Sequence, residues 1–259
     1  MTKLERLSEK VDGRILLMML GGSRLRGNYN ENSDYDYYVV YLPTREYYVS
    51  EGLARGFATK AFQPFKDEEE NALFMPINYF YNKLLTGDFT VYEMMGAIKY
   101  NRYTLDNEYY YIAPDFEVHM NDITYKNYLS LECFKRLLGN VSNILENLPE
   151  ENMFNDETDM KKTSLAYAYL YEILSMLECG YVNLNSEKII QLLNKIKYDK
   201  EFFSQNYDSI LNNIKNTRNV LQKSMENEEE NITSVFPVDF DAETNVYSFV
   251  NSIVKLLEK

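Results

Sequence analysis

Two apolar runs of strand length, Ile15 to Leu20 and Tyr37 to Leu42, are joined by an unusual link. It reads Gly21-Gly22-Ser23-Arg24-Leu25-Arg26-Gly27, then a polar loop, then Ser33-Asp34-Tyr35-Asp36. The pattern predicts a strand, a tight turn of small residues, a loop, and a second strand over Tyr35 to Leu42 that begins with two acids. Glycine lets backbone N–H groups approach a ligand closely, and Ser23 adds a hydroxyl donor. Asp34 and Asp36 are two apart, so on a strand both carboxylates leave the same face. Two carboxylates beside an anion-binding turn are suited to holding a divalent cation against phosphates.

Other glycine-rich sites are excluded by spacing. A P-loop needs Lys after the last glycine, and none follows here. Gly21, Gly22 and Gly27 do not fit G-x-G-x-x-G. Ser23 is not in a G-x-S-x-G elbow. The single histidine, His119, rules out chemistry that needs two, and it is read as structural or surface. Cys133 and Cys179 support neither a disulfide scaffold nor a zinc site; they are expected to be buried reduced thiols of a cytoplasmic protein. A net charge of -13 argues against a broad nucleic-acid footprint but not against a nucleotide substrate. An acidic surface would also suit a cationic small substrate. No apolar run is long enough to cross a membrane, and the N-terminus is charged and helix-like, not a signal peptide.

Strand patterns are confined to the first hundred or so residues. Leu4 to Val11 is predicted as a short helix, Arg14 to Leu20 as a buried strand, and Ala72 to Met75 as a third strand. Helical periodicity then takes over, with Ile77, Phe80, Leu84 and Leu85 on one face before Gly87. Further helices are expected over Thr90 to Ile98, Tyr125 to Leu148, Met160 to Cys179, Ser186 to Ile196, Lys200 to Met225 and Glu243 to Glu258. Asn152 to Asp159 is read as an acidic linker. The fold class is therefore α+β, a small mixed sheet with flanking helices followed by a helical part. The boundary is placed between residues 1–115 and 116–259.

The Gly-Ser turn followed by Asp-x-Asp resembles the signature of the DNA-polymerase-β-type nucleotidyltransferase superfamily. Gly22-Ser23-Arg24-Leu25-Arg26-Gly27 and Ser33-Asp34-Tyr35-Asp36 are most similar to the predicted nucleotidyltransferases of bacteria and phages associated with RNA repair. Asn71 to Met95 is similar to that family's strand, helix and glutamate-bearing helix, with Glu93 at the glutamate. Lys162 to Gly180 resembles its long helix, and Asn216 to Phe240 its C-terminal helix and turn. The resemblance implies an Mg²⁺-dependent transfer of a nucleoside monophosphate from a nucleoside triphosphate (ATP or another NTP) to a hydroxyl. It gives the β and γ phosphates to Gly22 and Ser23, with Arg24 as a further phosphate partner. It gives two Mg²⁺ ions to Asp34 and Asp36 together with a third acid. The implied acceptor is an RNA end; an aminoglycoside-like small molecule and a catalytically inactive homologue are the other readings.

Two departures accompany the resemblance. The third-acid position falls on Asn71, with Glu69 and Glu70 just before it. Glu70 is the candidate catalytic acid, but a one-residue slip turns a strand side chain to the opposite face unless a bulge restores it. The alternative for Asp67 to Glu70 is a solvated acidic loop. Where the family's long helix begins with a Lys-His-x-x-His-like run, this chain has Lys162-Thr163-Ser164-Leu165-Ala166, leaving Lys162 as a candidate cation for the cleft. Tyr47-Tyr48 and Tyr109-Tyr110-Tyr111 are read either as stacking surfaces or as strand and core.

Overall fold

The apolar run of the first strand is continuous because both of its faces are covered. In the computed structural model, which describes residues 1–47, 63–99, 109–123, 128–149, 157–183 and 186–227, β1 spans Gly13–Leu20. It pairs antiparallel with β2 (Tyr37–Pro43), Leu20 opposite Tyr37 and Gly13 opposite Pro43. A register shift between Ile15 and Leu17 puts Leu16 and Leu17 on the same side of the sheet. β2 pairs parallel with β4 (Ala72–Pro76), and β4 pairs antiparallel with β3 (Phe65–Asp67). The two-residue β5 (Tyr111–Ile112) closes the other edge, giving the order β3-β4-β2-β1-β5. One end of this mixed sheet therefore gathers the C-terminus of β1 with the N-termini of β2 and β4.

The sheet has two apolar faces. Met18, Tyr37, Val39, Tyr41 and Phe74 pack with Leu7 of α1 (Lys3–Ser8). Leu17, Met19, Val40, Leu42 and Met75 face the other helices. Those begin with α2 (Gly22–Arg26), α3 (Ile77–Thr86) and α4 (Phe89–Lys99), followed after β5 by α5 (Pro114–Asp122). The helical part is α6 (Leu131–Glu146), α7 (Glu157–Cys179), α8 (Glu187–Tyr198) and α9 (Lys200–Asn227). α7 is buried around most of its circumference, as Met160, Ala166, Leu170, Ile173 and Met176 show, so it is the central helix of this layer. α9 covers it with Phe203, Tyr207, Ile210, Leu211 and Ile214, spaced three and four apart. One apolar cluster runs from Leu16 and Val40 on the sheet to Met225 on α9.

Several expectations change. β2 begins at Tyr37, so Asp34 and Asp36 precede the strand. The small-residue turn is a one-turn helix. α6 starts at Leu131 because the Ser130 hydroxyl accepts the Cys133 N–H and fixes the cap. Neither cysteine is in a disulfide; Cys133 is buried as expected, but Cys179, the last residue of α7, is exposed. His119 packs edge-on against Tyr81. The expected helix from Glu243 to Glu258, the acidic linker up to residue 156 and most of the segment from Tyr47 to Thr59 lie outside the described residues. Among the described residues, no helix is long and apolar enough to cross a membrane.

Candidate functional site

The small residues do local work first. Gly22 has φ +54°, a left-handed conformation that costs an L side chain roughly 1 kcal/mol, and it opens α2. The Gly21 N–H donates to the Asp36 carbonyl at 2.8 Å, which ties the turn to the residue before β2. A Cβ on Gly22 would stand 3.5 Å from Asp36 Oδ2, so the carboxylate lies directly against the turn. Ser23 and Arg26 are three apart on α2 and share a face.

These residues form one wall of a cleft of about 800 Å³. Ser23, Arg26, Asp34 and Asp36 line it together with the asparagines of the intervening loop. Asp34 is exposed and Asp36 half-buried. The opposite wall is helical. Glu157, Met160, Lys161, Ser164 and Leu165 occupy one face of α7, and Lys197, Tyr198 and Lys200 come from the α8–α9 junction. The walls are tied at the loop: Lys197 Nζ donates to the Asn28 carbonyl at 3.1 Å, and the Tyr198 hydroxyl donates to the same oxygen at 3.2 Å. The Tyr198 hydroxyl is also 3.1 Å from Ser33 Oγ. Lys161, Lys197 and Lys200 balance the acids Asp34, Asp36 and Glu157, and Arg26 is already paired with Glu93, so the cleft is not acidic although the chain is.

The other sequence candidates are placed elsewhere. Arg24 donates from Nε to the Asp34 carbonyl at 3.0 Å and from Nη2 to the Ser33 carbonyl at 2.7 Å. Its guanidinium also lies 3.4 Å from the centre of the Tyr35 ring. It clamps the acid-bearing loop and is not among the residues that line the cleft. Lys162 turns out of the cleft to the Asn147 carbonyl, and its neighbour Lys161 faces in.

The acid run is a turn, solvated at Glu68 and Glu69 and tied at Asp67 and Glu70 to α1 and to Lys10 just after it. Glu70 pairs with Lys3 at 2.7 Å and Arg6 at 3.2 Å, and Asp67 pairs with Lys10 at 3.0 Å. The hydrogen bond from Lys3 leads in holding the Glu70 carboxyl below its ordinary range. Glu69 reaches Lys10 at 3.1 Å but stays 83% exposed. Asn71 takes φ +48°, and its Nδ2 donates to the Tyr35 carbonyl at 3.2 Å. Glu70 and Asn71 both line a separate cavity with Tyr35, Tyr37 and Tyr109, against α1. The structure therefore does not bring Glu70 to Asp34 and Asp36, because the chain turns toward α1 before β4 begins. Among the described residues, no group of three His, Cys, Asp or Glu is placed to hold a metal. Asp34 and Asp36 alone suit one Mg²⁺, an ion that keeps several waters and completes its shell with substrate phosphates.

Beneath the cleft lies a cluster that sequence reading did not connect. Arg26 Nη1 donates to Glu93 Oε1, and Glu93 and Glu172 are both 1% exposed. Burial pushes both carboxyls up; the Arg26 charge opposes this at Glu93, and the Glu93 charge adds to it at Glu172. Of the two, Glu172 is the carboxyl whose charged form is the more strongly disfavoured. Burial works against the charge of Arg26, yet the carboxylate of Glu93 holds its pKa above the usual value. The nearby Tyr38 hydroxyl is pushed up to about 12, chiefly by burial. Arg26 was visible in the motif, but its partners lie 67 and 146 positions away, beyond any local pattern.

Compared with protein-family models, curated proteins and solved structures, the chain matches none.

Proposed function

We propose that the chain is an Mg²⁺-dependent nucleotidyltransferase that moves a nucleoside monophosphate from a nucleoside triphosphate to a hydroxyl acceptor. The observation that carries this reading is the cleft itself, with Asp34 and Asp36 beside the Gly-Ser turn on one wall and lysines on the other. Asp34 and Asp36 hold Mg²⁺. When bound, the ion neutralises phosphate charge and stabilises displacement at the α phosphorus. Ser23, which the Gly22 turn sets in the cleft wall, supplies a hydroxyl donor to phosphate oxygens, and Lys161, Lys197 and Lys200 compensate the remaining anionic charge. Arg24 keeps the loop that presents Asp34 in place through its two carbonyl contacts. The lysines of the cleft offset its three acids, so they do not favour an aminoglycoside-like acceptor, which needs an acidic surround. They fit a phosphate-bearing acceptor such as an RNA end.

A second reading has its own observation. Glu70 and Asn71 face α1, and no third carboxylate joins the pair among the described residues. That supports a chain that binds nucleotide without transferring it. The test is incubation with each α-labelled triphosphate and Mg²⁺, with RNA or small-molecule acceptors. Transfer of label that is lost in Asp36→Asn supports the enzyme. Nucleotide binding without transfer to any acceptor supports the inactive module, and neither binding nor transfer overturns both.

A further inference from the structure

We propose that the tyrosine-lined cavity on the α1 face of the sheet seats the unpaired end base of a single-stranded RNA; that this strand is the acceptor rests on the reading of the chain as a nucleotidyltransferase. The cavity has a volume of about 670 Å³, within the roughly 300–1,000 Å³ of sites that hold small ligands. Tyr35, Tyr37, Tyr109 and Tyr111 line it, with Lys3 and Arg6 of α1. It lies on the other face of the sheet from the cleft. Met18 and Tyr37, which also line it, belong to the apolar face covered by α1, whereas Leu25 of α2 belongs to the face covered by the helical layer. The two sites meet at Asp34-Tyr35-Asp36, a segment that sends its acids into the cleft and its ring into the cavity.

A tyrosine placed for packing alone would be covered, but Tyr35 is 43% exposed. Its ring belongs to an open stack. The Arg24 guanidinium lies 3.4 Å from the centre of the Tyr35 ring and 4.9 Å from that of Tyr29, and the Tyr109 ring centre stands 5.4 Å from that of Tyr35. Aromatic faces joined to a guanidinium plane are the surface on which unpaired bases stack. A duplex keeps its bases inside and offers no ring to it. The charges agree with a strand. Lys3 and Arg6 share the single carboxylate of Glu70, and Arg24 gives its donors to two carbonyls, so positive charge remains for a phosphate. A footprint of one or two nucleotides also suits a chain of net charge -13, because stacking rather than phosphate contact supplies most of the affinity. The position is suited to an acceptor. An in-line displacement brings its hydroxyl from the side opposite the leaving pyrophosphate. The Gly-Ser turn is on the cleft side of the acids, so an end seated in the cavity approaches from the other.

The probe is a short single-stranded oligoribonucleotide with a fluorescent label at one end, titrated into the full chain and read by anisotropy. The parent is expected to bind it, to bind the same sequence as a duplex much more weakly, and to lose affinity only shallowly with added salt. Tyr109→Ala leaves the acid-bearing loop intact and is expected to weaken binding by about five- to a hundredfold, the worth of one base–aromatic stack. Tyr35→Ala should do the same, and Tyr35→Phe, which keeps the ring, should bind like the parent. Thermal unfolding checks that each variant is folded; Tyr35→Ala, at an exposed position, serves if Tyr109→Ala is not. Parent-like binding of the oligonucleotide in a folded alanine variant overturns the site. Weakened binding of ATP and Mg²⁺ in Tyr109→Ala, with the oligonucleotide unaffected, assigns the rings to the base of the triphosphate and also overturns it. A parent that transfers label to a small acceptor without binding the oligonucleotide overturns the site and leaves nucleotidyl transfer standing. Oligonucleotide binding that depends on both rings, in a parent that transfers no label, upholds the single-strand site and overturns the transfer.

Discussion

At Glu70 a single side chain separates two functions that an acid run can serve. Its carboxyl is 11% exposed and bonded to Lys3 and Arg6, so it contributes to docking α1 on the sheet and has no part in the cleft. Those cations favour the charged form, and the folded-state pKa lies below the unfolded one. The stabilisation is therefore present above the unfolded value, near about 4.3, and is lost as pH falls through the folded value. Glu70→Gln is expected to cost about 1 kcal/mol in urea unfolding at pH 7. The gap between variant and parent should close toward pH 3. Nucleotide binding in the cleft should be unchanged. A gap that persists at pH 3, or weakened nucleotide binding, would show that the contact with α1 is not what Glu70 does. This division was not legible in Asp67-Glu68-Glu69-Glu70-Asn71. Which way each carboxylate turns is decided by the left-handed backbone at Asn71 and by cations more than fifty positions earlier.

Elements were legible where their own period identifies them. β1, β2 and β4 are apolar runs buried on both faces, and α6 shows its stripe of Phe134, Leu137, Leu138 and Val141. β3 and β5, with three and two residues, are too short to carry a period; β3 was not predicted, and β5 was met only by the strand-or-core reading of Tyr109-Tyr110-Tyr111. The lysine wall was missed for a different reason. The sequence places Lys161 and Lys162 on a helix, but only the packing of α7 decides which of them faces the cleft. α4 shows how close such packing is. Gly96 lies one turn beyond Glu93 on the same side, and a Cβ there would collide with the Val182 carbonyl oxygen just after α7. Alanine raises helix propensity by about 1 kcal/mol over glycine. The collision is with backbone, which cannot swing aside as a side-chain tip can, and overpacking of this kind costs roughly 1–3 kcal/mol. Gly96→Ala should therefore destabilise the chain in thermal unfolding in spite of its propensity. An unchanged or raised midpoint would mean that α4 and the Val182 segment are not in this close contact.

The sheet and the helical layer share one apolar cluster, and among the described residues the ionisable Arg26, Glu93 and Glu172 are set against it. One arginine faces two buried carboxyls, so the cluster reaches neutrality only by keeping a proton. Burial, and after it the charge of Glu93, push the Glu172 carboxyl well up, so it is the group suited to carry that proton. An acid whose folded-state pKa is raised binds more protons folded than unfolded. Folding stability therefore declines as pH rises above the unfolded value, by up to about 1.4 kcal/mol per pH unit for one group, until the folded value is reached. Glutamine has the shape of the protonated carboxyl and cannot ionise in the unfolded chain. Glu172→Gln should thus be more stable than the parent at pH 7 and equal to it near pH 4, where the parent binds the proton in both states. Denaturant unfolding of both proteins across pH 4 to 8 reads this directly. A variant less stable than the parent at pH 7 would mean that Glu172 is ionised when folded, and that the charge balance between the two layers is set by some other group.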